Sequence, residues 1–473
     1  MARKRWVISV FLLALLLALP ALCAADGGTE YARNLQEVCT FNASTTDKLR
    51  RVYNQEARSS FETSKKNEAF IEIRSAEPIH ALYIQWYGPQ DPWILQTLEN
   101  DQWVDQAEYG LDGFAQEVVK LDGFTDIRIV RRAEKGKATL NVFEITPYSE
   151  GELPPEVHQW KKAEKADLLI VSAHPDDEYI FLGGLIPTYA GERQMEVQVV
   201  YLTYARPLRL EELLNGLWVC GVRNYPEIEE RKDFRSTSLR KFYDVWGKEE
   251  LQKYFISVVR KYQPRVIVSQ DIDGEYGHGA HKLAADISMY VFDNAGNAEV
   301  FPDCGAPWQP SKLYLHLYGE GQRSFDWNVP LDYFGGRTAL EVAQEAWRCH
   351  ISQQGGSVKD TKNREFRFTV RNGGYYDNAV FGLYGSTVGE DVALDDLFEN
   401  IPVDELRERI GEIEAGKPVY VICQSGLRSY IATRILEGYG FEAYNFAGGF
   451  RFYDAVMNDR ALIEKASLCG MDK

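Results

Sequence analysis

The chain has 473 residues, room for roughly two to four domains, and its 45% hydrophobic and 26% charged composition is that of an ordinary globular protein. A formal net charge of −17 weighs against nucleic acid or an anionic membrane surface as a partner. At the N-terminus, Arg3, Lys4 and Arg5 precede the apolar run WVISVFLLALLLALPAL and small residues around Cys23-Ala24-Ala25. That is the pattern of a secretory signal peptide over 1–25, so a secreted or cell-envelope location is expected; an uncleaved membrane anchor is the alternative. Leu22 stands where a lipoprotein cleavage site wants a small residue, and no other segment is long and apolar enough to span a bilayer. Six cysteines would remain after cleavage, at wide and irregular spacing that suggests neither a zinc ribbon nor a disulfide scaffold, though one or two disulfides are compatible with export.

Residues 30–152 read as a separate all-β unit. AFIEIRS, HALYIQWY, TDIRIVRR and ATLNVFEITPY are short alternating or β-branched runs between polar turns. The pattern loosely resembles the galactose-binding-like β-sandwiches of discoidin and family-32 carbohydrate-binding modules. Trp86, Tyr87 and Trp93, beside a Gly-Pro and an Asp-Pro turn, either stack on a sugar or fill the core. ELPPEVHQWKKAEKAD (152–167) reads as a linker.

ADLLIVSAHPDDE (166–178) is the most informative stretch. Its consecutive Leu, Ile and Val predict a strand covered on both faces, as in a parallel sheet. At the strand's C-terminal end, where open α/β sheets bind ligands, stand His174, Asp176, Asp177 and Glu178. Further on, PRVIVSQ (264–270) predicts a second such strand, followed by DIDGEYGHGAHK with His278 and His281 on one turn. Three of only 7 histidines thus fall in two strand-end motifs. Alone, the first motif is compatible with a helix N-terminus and the second with a polar loop. Together they supply two imidazoles and a carboxylate, a set that leaves positions open for water and substrate, as in catalytic zinc sites. Fe(II) or another divalent cation suits the same donors.

AHPDDE followed by GEYGHGAH resembles the LmbE/PIG-L family of N-acetylglucosamine deacetylases over about residues 160–395. The resemblance implies a Rossmann-like α/β fold and zinc-dependent removal of acetyl groups from an amino sugar, glycolipid or glycan. It implies His174, Asp177 and His281 as metal ligands and Asp176 as general base. His278 would be the electrostatic or acid partner, with Tyr276 helping to stabilise the oxyanion. Gly279-Ala280 stands where many relatives place Pro-Asp, a departure that keeps the ligand spacing.

Residues 196–204 predict another strand, and Leu210, Leu213, Leu214 and Leu217 then fall at helical spacing as a packing face. Arg209 and Glu212 sit at the start of that helix. Relatives carry a similar Arg-x-x-Glu, which implies that Arg209 binds substrate; exposed salt-bridging is the alternative. Gly183-Gly184 is expected to permit close packing rather than chemistry.

In the tail, 417–450 predict strand, tight loop, amphipathic helix and strand. Cys423-Gln-Ser-Gly-Leu-Arg428-Ser resembles the active-site half of a rhodanese domain, which implies a thiolate nucleophile at Cys423 with Arg428 in its loop. The resemblance covers about 396–470 and lacks the domain's first half. The expected architecture is therefore multidomain: a β-sandwich, a Rossmann-like α/β deacetylase domain and a partial α/β rhodanese-like tail. Two other functions stay open, a sulfurtransferase using Cys423 and a non-catalytic carbohydrate-binding envelope protein.

Overall fold

The computed structural model describes residues 31–387 apart from 55, 57, 58, 90, 204, 205, 230, 320 and 321; in the tail it describes 396–398, 403, 406–413, 416, 418–421, 423, 425–449, 452 and 456. The expected leader, 1–25, lies outside the described residues, and no helix among those described is long and apolar enough to cross a membrane. The chain divides into two compact units, one built from the segments up to His158 except 86–90 and 112–116, the other from those two short segments and everything from Gln159 onward.

The first unit is a five-stranded sheet in the order β1-β2-β5-β3-β4, made of β1 (Cys39–Ala43), β2 (Phe61–Trp86), β3 (Trp93–Glu99), β4 (Gln102–Tyr109) and β5 (Gln116–Tyr148). AFIEIRS and HALYIQW both lie in β2, and TDIRIVRR and ATLNVFEITPY both in β5. The sequence reads these as separate short strands; here continuous extended chains of 26 and 33 residues carry them. Asn67 within β2 and Gly123 and Gly136 within β5 take left-handed backbone conformations. Alternate residues such as Ile71, Ile73, Ile127 and Ile129 fill the core. Trp93 is 0% exposed, so it is a core side chain of this unit and not a sugar platform; Trp86, which belongs to the second unit, is 1% exposed. Tyr87 is exposed.

The second unit is organised by a seven-stranded sheet, β11-β14-β10-β9-β6-β7-β8. Its strands are β6 (Leu168–Ser172), β7 (Val197–Tyr201), β8 (Glu227–Ile228), β9 (Val266–Ser269), β10 (Lys312–His316), β11 (Arg323–Ser324) and β14 (Val380–Ser386). From β10 to β8 neighbours are parallel, while β14 runs antiparallel to β10 and β11. Along β6, Leu168 and Ile170 enter one apolar core with the side chains of α2 (Pro207–Val219) and α6 (Ala339–Arg348). Leu169 and Val171 enter a second, with α4 (Lys248–Tyr262) and α5 (Gly279–Asn294). Helices on both faces explain why β6 and β9 read as unbroken apolar runs. Leu168 pairs with Val266 and Val171 with Ser269, so the two strands end side by side and deliver both motifs to one place. Gly183 and Gly184 lie where a Cβ would come within 2.6 Å of Trp327 and 2.7 Å of Ala339, which gives them the packing role expected.

In the tail, β15 (Val419–Val421) pairs in parallel with β16 (Ala443–Asn445) and α7 (Leu427–Gly438) packs on them around Leu406, Ile435 and Leu436. The strand-loop-helix-strand order is the one expected. Residues 396–398, placed in the tail by sequence, are anchored elsewhere in the unit. Leu397 is fully buried, and Asp396 accepts from Tyr189 Oη at 2.9 Å and from Arg193 at 2.6 Å. Cys39, Cys220, Cys304, Cys349 and Cys423 are free thiols among the described residues.

Candidate metal centre

After β6 the chain turns sharply. Asp176 adopts φ +114°, a costly backbone for a residue with a Cβ, and N-caps the four-residue helix α1 (Asp177–Ile180). The turn is held by its own side chains: His174 N–H donates to Asp177 Oδ2 at 3.0 Å, and Asp176 N–H to Glu178 Oε2 at 2.8 Å. Gln270, just beyond β9, accepts from Ala173 N–H at 2.8 Å and ties the two strand ends together.

Beyond β9, Tyr276 takes a left-handed conformation at φ +46° and His278 caps α5, its Nδ1 accepting the Ala280 N–H at 3.3 Å. His281 follows in the first turn. Gly279 has a structural reason for not being proline: its N–H donates to Ser236 O at 2.7 Å, and a Cβ there would stand 2.6 Å from the Phe242 ring.

The two motifs converge. His174 Nδ1 is 2.8 Å from Asp177 Oδ2, and His281 Nε2 is 3.2 Å from each of those atoms. Ligands of a tetrahedral cation at about 2.0–2.2 Å stand about 3.3 Å apart, so this triangle of two imidazoles and a carboxylate fits a zinc-type ion. The ring nitrogens of His174, His278 and His281 also lie within 4.8 Å of one another, which brings His278 to the same spot. Tyr276 Oη is 3.3 Å from His281 Nε2. All the residues expected at this site from His174 to His281 are thus brought together.

Electrostatics follow from burial and these contacts. Burial alone would raise Asp177, but His281 and His174 hold it well below the usual carboxylate range. Burial would lower both imidazoles, yet Asp177 lifts His174 to about 9 and, helped by Glu275, His281 to about 10. His278 is pushed down to about 3 by burial and by its two histidine neighbours. Asp176 is raised by burial to about 7 in spite of Arg209.

Arg209, expected on the substrate, has its Nη2 on the Pro175 carbonyl and 3.2 Å from Asp176 Oδ1. Its neighbour Glu212 is buried and accepts from Ser352 N–H and Oγ at 2.6 Å, which anchors α2; neither residue is an exposed ion pair. Three residues around the donors were not singled out from sequence. Asp233 reaches His174 Nε2 at 3.4 Å, Glu275 lies 2.7 Å from His281 Nδ1, and His316 lies 2.6 Å from Glu275. A signal existed for two: Glu275 is inside DIDGEYGH, and His316 ends the apolar run KLYLH at the same sheet edge. Asp233 comes from an irregular segment without a pattern.

In the tail, Cys423 Sγ accepts from Gly426 N–H at 3.1 Å and from Ser429 N–H and Oγ at 3.4 Å each. Its slight burial would raise the thiol, but these donors and the Ser425 N–H bring it down to about 6. Arg428 is exposed on α7.

Residues 169–292, which contain both motifs, match the family model described as PIG-L: GlcNAc-PI de-N-acetylase. A curated 1D-myo-inositol 2-acetamido-2-deoxy-alpha-D-glucopyranoside deacetylase of Rhodococcus jostii is 29% identical over 177 residues, covering 31% of this chain and 60% of its own. The deacetylase 1 of the same description from Frankia casuarinae is 27% identical over 177 residues, covering 31% and 57%. The chain therefore spans about 60% of the length of the curated relatives it matches. Among solved structures, the N,N'-diacetylchitobiose deacetylase of Pyrococcus horikoshii has 19% identity over 42% of this chain and 73% of that one, with a TM-score of 0.31.

Proposed function

We propose that this protein is a divalent-metal-dependent hydrolase that removes the acetyl group from a 2-acetamido-2-deoxyglucoside, carried out of the cytoplasm by its leader. The observation that carries the reading is the convergence of His174 Nδ1, Asp177 Oδ2 and His281 Nε2, with the carboxylate of Asp176 beside them. The substrate class is taken from the PIG-L match and from the relatives, which act on a 2-acetamido-2-deoxyglucopyranoside. Zinc is the favoured ion for this donor set, with Fe(II) the runner-up. The chemistry a bound cation supplies is Lewis-acid polarisation of the amide carbonyl and acidification of water.

The chain's own groups do the rest. Asp176 does not close the donor triangle, and its carboxylate takes the proton from the attacking water. Arg209, on Asp176 Oδ1, holds that carboxylate in place and keeps further donors for the sugar. Because His278 Nδ1 accepts the Ala280 N–H, the neutral ring carries its hydrogen on Nε2. It therefore presents a donor and not a lone pair, which suits an oxyanion partner better than a ligand, and the leaving amine takes its proton from Asp176. Tyr276 adds a hydroxyl on the same side. The test is acetate release from N-acetylglucosaminyl-inositol and from chitobiose by the zinc-loaded protein. Lack of release from every N-acetylated sugar tried, by protein that holds one metal ion per chain, would overturn the reading.

A second reading rests on the Cys423 loop, whose three donors to Sγ suit an anionic sulfur and support a separate thiolate function in the tail.

A further inference from the structure

Glu275 is completely buried at the floor of the site, yet its two oxygens meet two different histidines. Oε2 is 2.7 Å from His281 Nδ1 and Oε1 is 2.6 Å from His316 Nδ1. Asp271 N–H donates to Oε1 as well, at 3.2 Å. The far nitrogen of His316, Nε2, faces the backbone carbonyl of Asp377 at 2.9 Å. A carbonyl only accepts, so Nε2 carries a hydrogen. On its other side the same ring turns Nδ1 to Glu275 Oε1.

We infer that Glu275 and His316 are positioning residues that fix the tautomer of His281, so that its Nδ1 holds the hydrogen and its Nε2 lone pair faces His174 and Asp177. The inference rests on the metal-dependent reading above but concerns side chains that nothing there assigns. It follows the contacts: the Asp377 carbonyl fixes one end of His316, His316 and the Asp271 N–H occupy Oε1, and Oε2, with a longer contact from Gln270 Nε2 at 3.4 Å, takes the hydrogen of His281 at 2.7 Å. Each member comes from a separate element. His316 ends β10, Glu275 lies in the loop after β9, and His281 is in the first turn of α5. Because β10 is hydrogen-bonded to β9 in parallel, its last residue arrives beside the loop that β9 feeds. Simple stabilisation is a poor account of the group. A buried ionic set gains little over an apolar replacement of the same volume, and the three residues before His316 on β10, Leu313, Tyr314 and Leu315, all lie in the apolar cores. A fixed hydrogen on the ring nitrogen remote from a metal is, in contrast, the usual means of aiming an imidazole ligand.

The test uses the zinc-loaded full-length protein. Zinc affinity is measured by competition with a chelator for wild type, Glu275→Gln, His316→Phe and His316→Gln, and the ring nitrogens are read by ¹⁵N-histidine NMR. In wild type Nδ1 of His281 should bear a hydrogen. Glu275→Gln offers one acceptor oxygen where the two ring donors point to separate oxygens, and His316→Phe leaves Oε1 without its ring partner. Each should weaken zinc binding by about 10–100-fold. His316→Gln, which restores an N–H donor to Oε1, should recover most of the affinity lost in His316→Phe; a purely packing role would favour the phenylalanine instead. The inference is overturned if Nδ1 of His281 bears no hydrogen in the zinc-loaded protein, if Glu275→Gln folds and binds zinc as wild type does, or if His316→Gln binds zinc no better than His316→Phe. Should His316→Phe fail to fold, the NMR reading and the two polar variants still decide. A wild type that takes up no divalent metal would defeat the proposed function, while the hydrogen on Nδ1 of His281 would still report on its contact with Glu275 separately.

Discussion

Asp176→Asn separates the base from the metal donors, because the two carboxylates of the motif have distinct surroundings. Asp177 Oδ2 closes the triangle with His174 Nδ1 and His281 Nε2 at 2.8 and 3.2 Å, whereas Asp176 Oδ1 meets Arg209 Nη2 at 3.2 Å. An amide at 176 keeps a carbonyl oxygen for Arg209 but has no basic site for a proton. Metal content should therefore stay at the wild-type level. Turnover should fall by about 10²–10⁴-fold, the usual cost of losing a general base, or about 2.7–5.5 kcal/mol on the barrier. The loss belongs in kcat, since the amide does not alter sugar contacts. Stability should not fall, because burial already disfavours the ionised carboxylate, and a neutral amide removes that penalty while its carbonyl oxygen still accepts from Arg209. Acetate release, metal analysis and thermal unfolding on the same preparations measure all three quantities. Full turnover in the variant would mean that another group takes the water proton. Loss of the metal would mean that Asp176 is itself a ligand.

Chelation should abolish acetate release and zinc should restore it, and His281→Ala should retain little metal because Nε2 supplies two of the triangle's three edges. Gly279→Ala should cost about 1–3 kcal/mol by overpacking, since its Cβ would press on Phe242 and on Ser236 O at 2.6 and 2.9 Å. Gly279→Pro should cost more, because it also removes the N–H bonded to Ser236; thermal unfolding reads both. Cys423, with its thiol lowered to about 6, should be alkylated with a rate that climbs from pH 5 and levels off above pH 7. An ordinary thiol, with a pKa of about 8.5, would still be gaining rate at pH 8. Mass spectrometry of iodoacetamide-treated protein locates the label, and a rate still rising steeply at pH 8 would show that the loop does not stabilise the thiolate.

The contacts that form the triangle were legible in sequence because each motif is contiguous and directly follows a strand. An unbroken apolar run identifies a strand covered on both faces, and parallel strands present their C-terminal ends to ligands. The polar residues that stop LLIVS and VIVS could therefore be assigned to one sheet edge before any coordinates. The leucine stripe on α2 and the β-α-β order of the tail were legible for a similar reason, since their periodicities are local. In the first unit the runs were found but not their continuity. Neither burial alternation nor polar spacers reveal that two runs belong to one bending chain. The choice between core and platform for Trp93 likewise depended on neighbours that come from distant sequence.

What stayed hidden was set by strand order. His316 and Glu275 are 41 residues apart and meet only because β10 takes the place next to β9 in the sheet. Nothing in KLYLH states that order, so the histidine at its end looked like any polar strand terminus. Arg209 shows the same limit from the other side. Its spacing placed it near the site, but the direction of its guanidinium depends on how α2 is anchored, and the Glu212–Ser352 bond that anchors it joins residues 140 apart. A motif can therefore name the atoms that gather at a centre while leaving out those that aim them. Here the aiming groups lie one strand further along the sheet. The family match ends at residue 292, before the histidine that saturates Glu275. If His316 sets the ring of His281, the competence of the matched domain depends on a strand beyond the matched segment, and a fragment cut at the end of the match would keep every motif residue while losing the device that fixes His281.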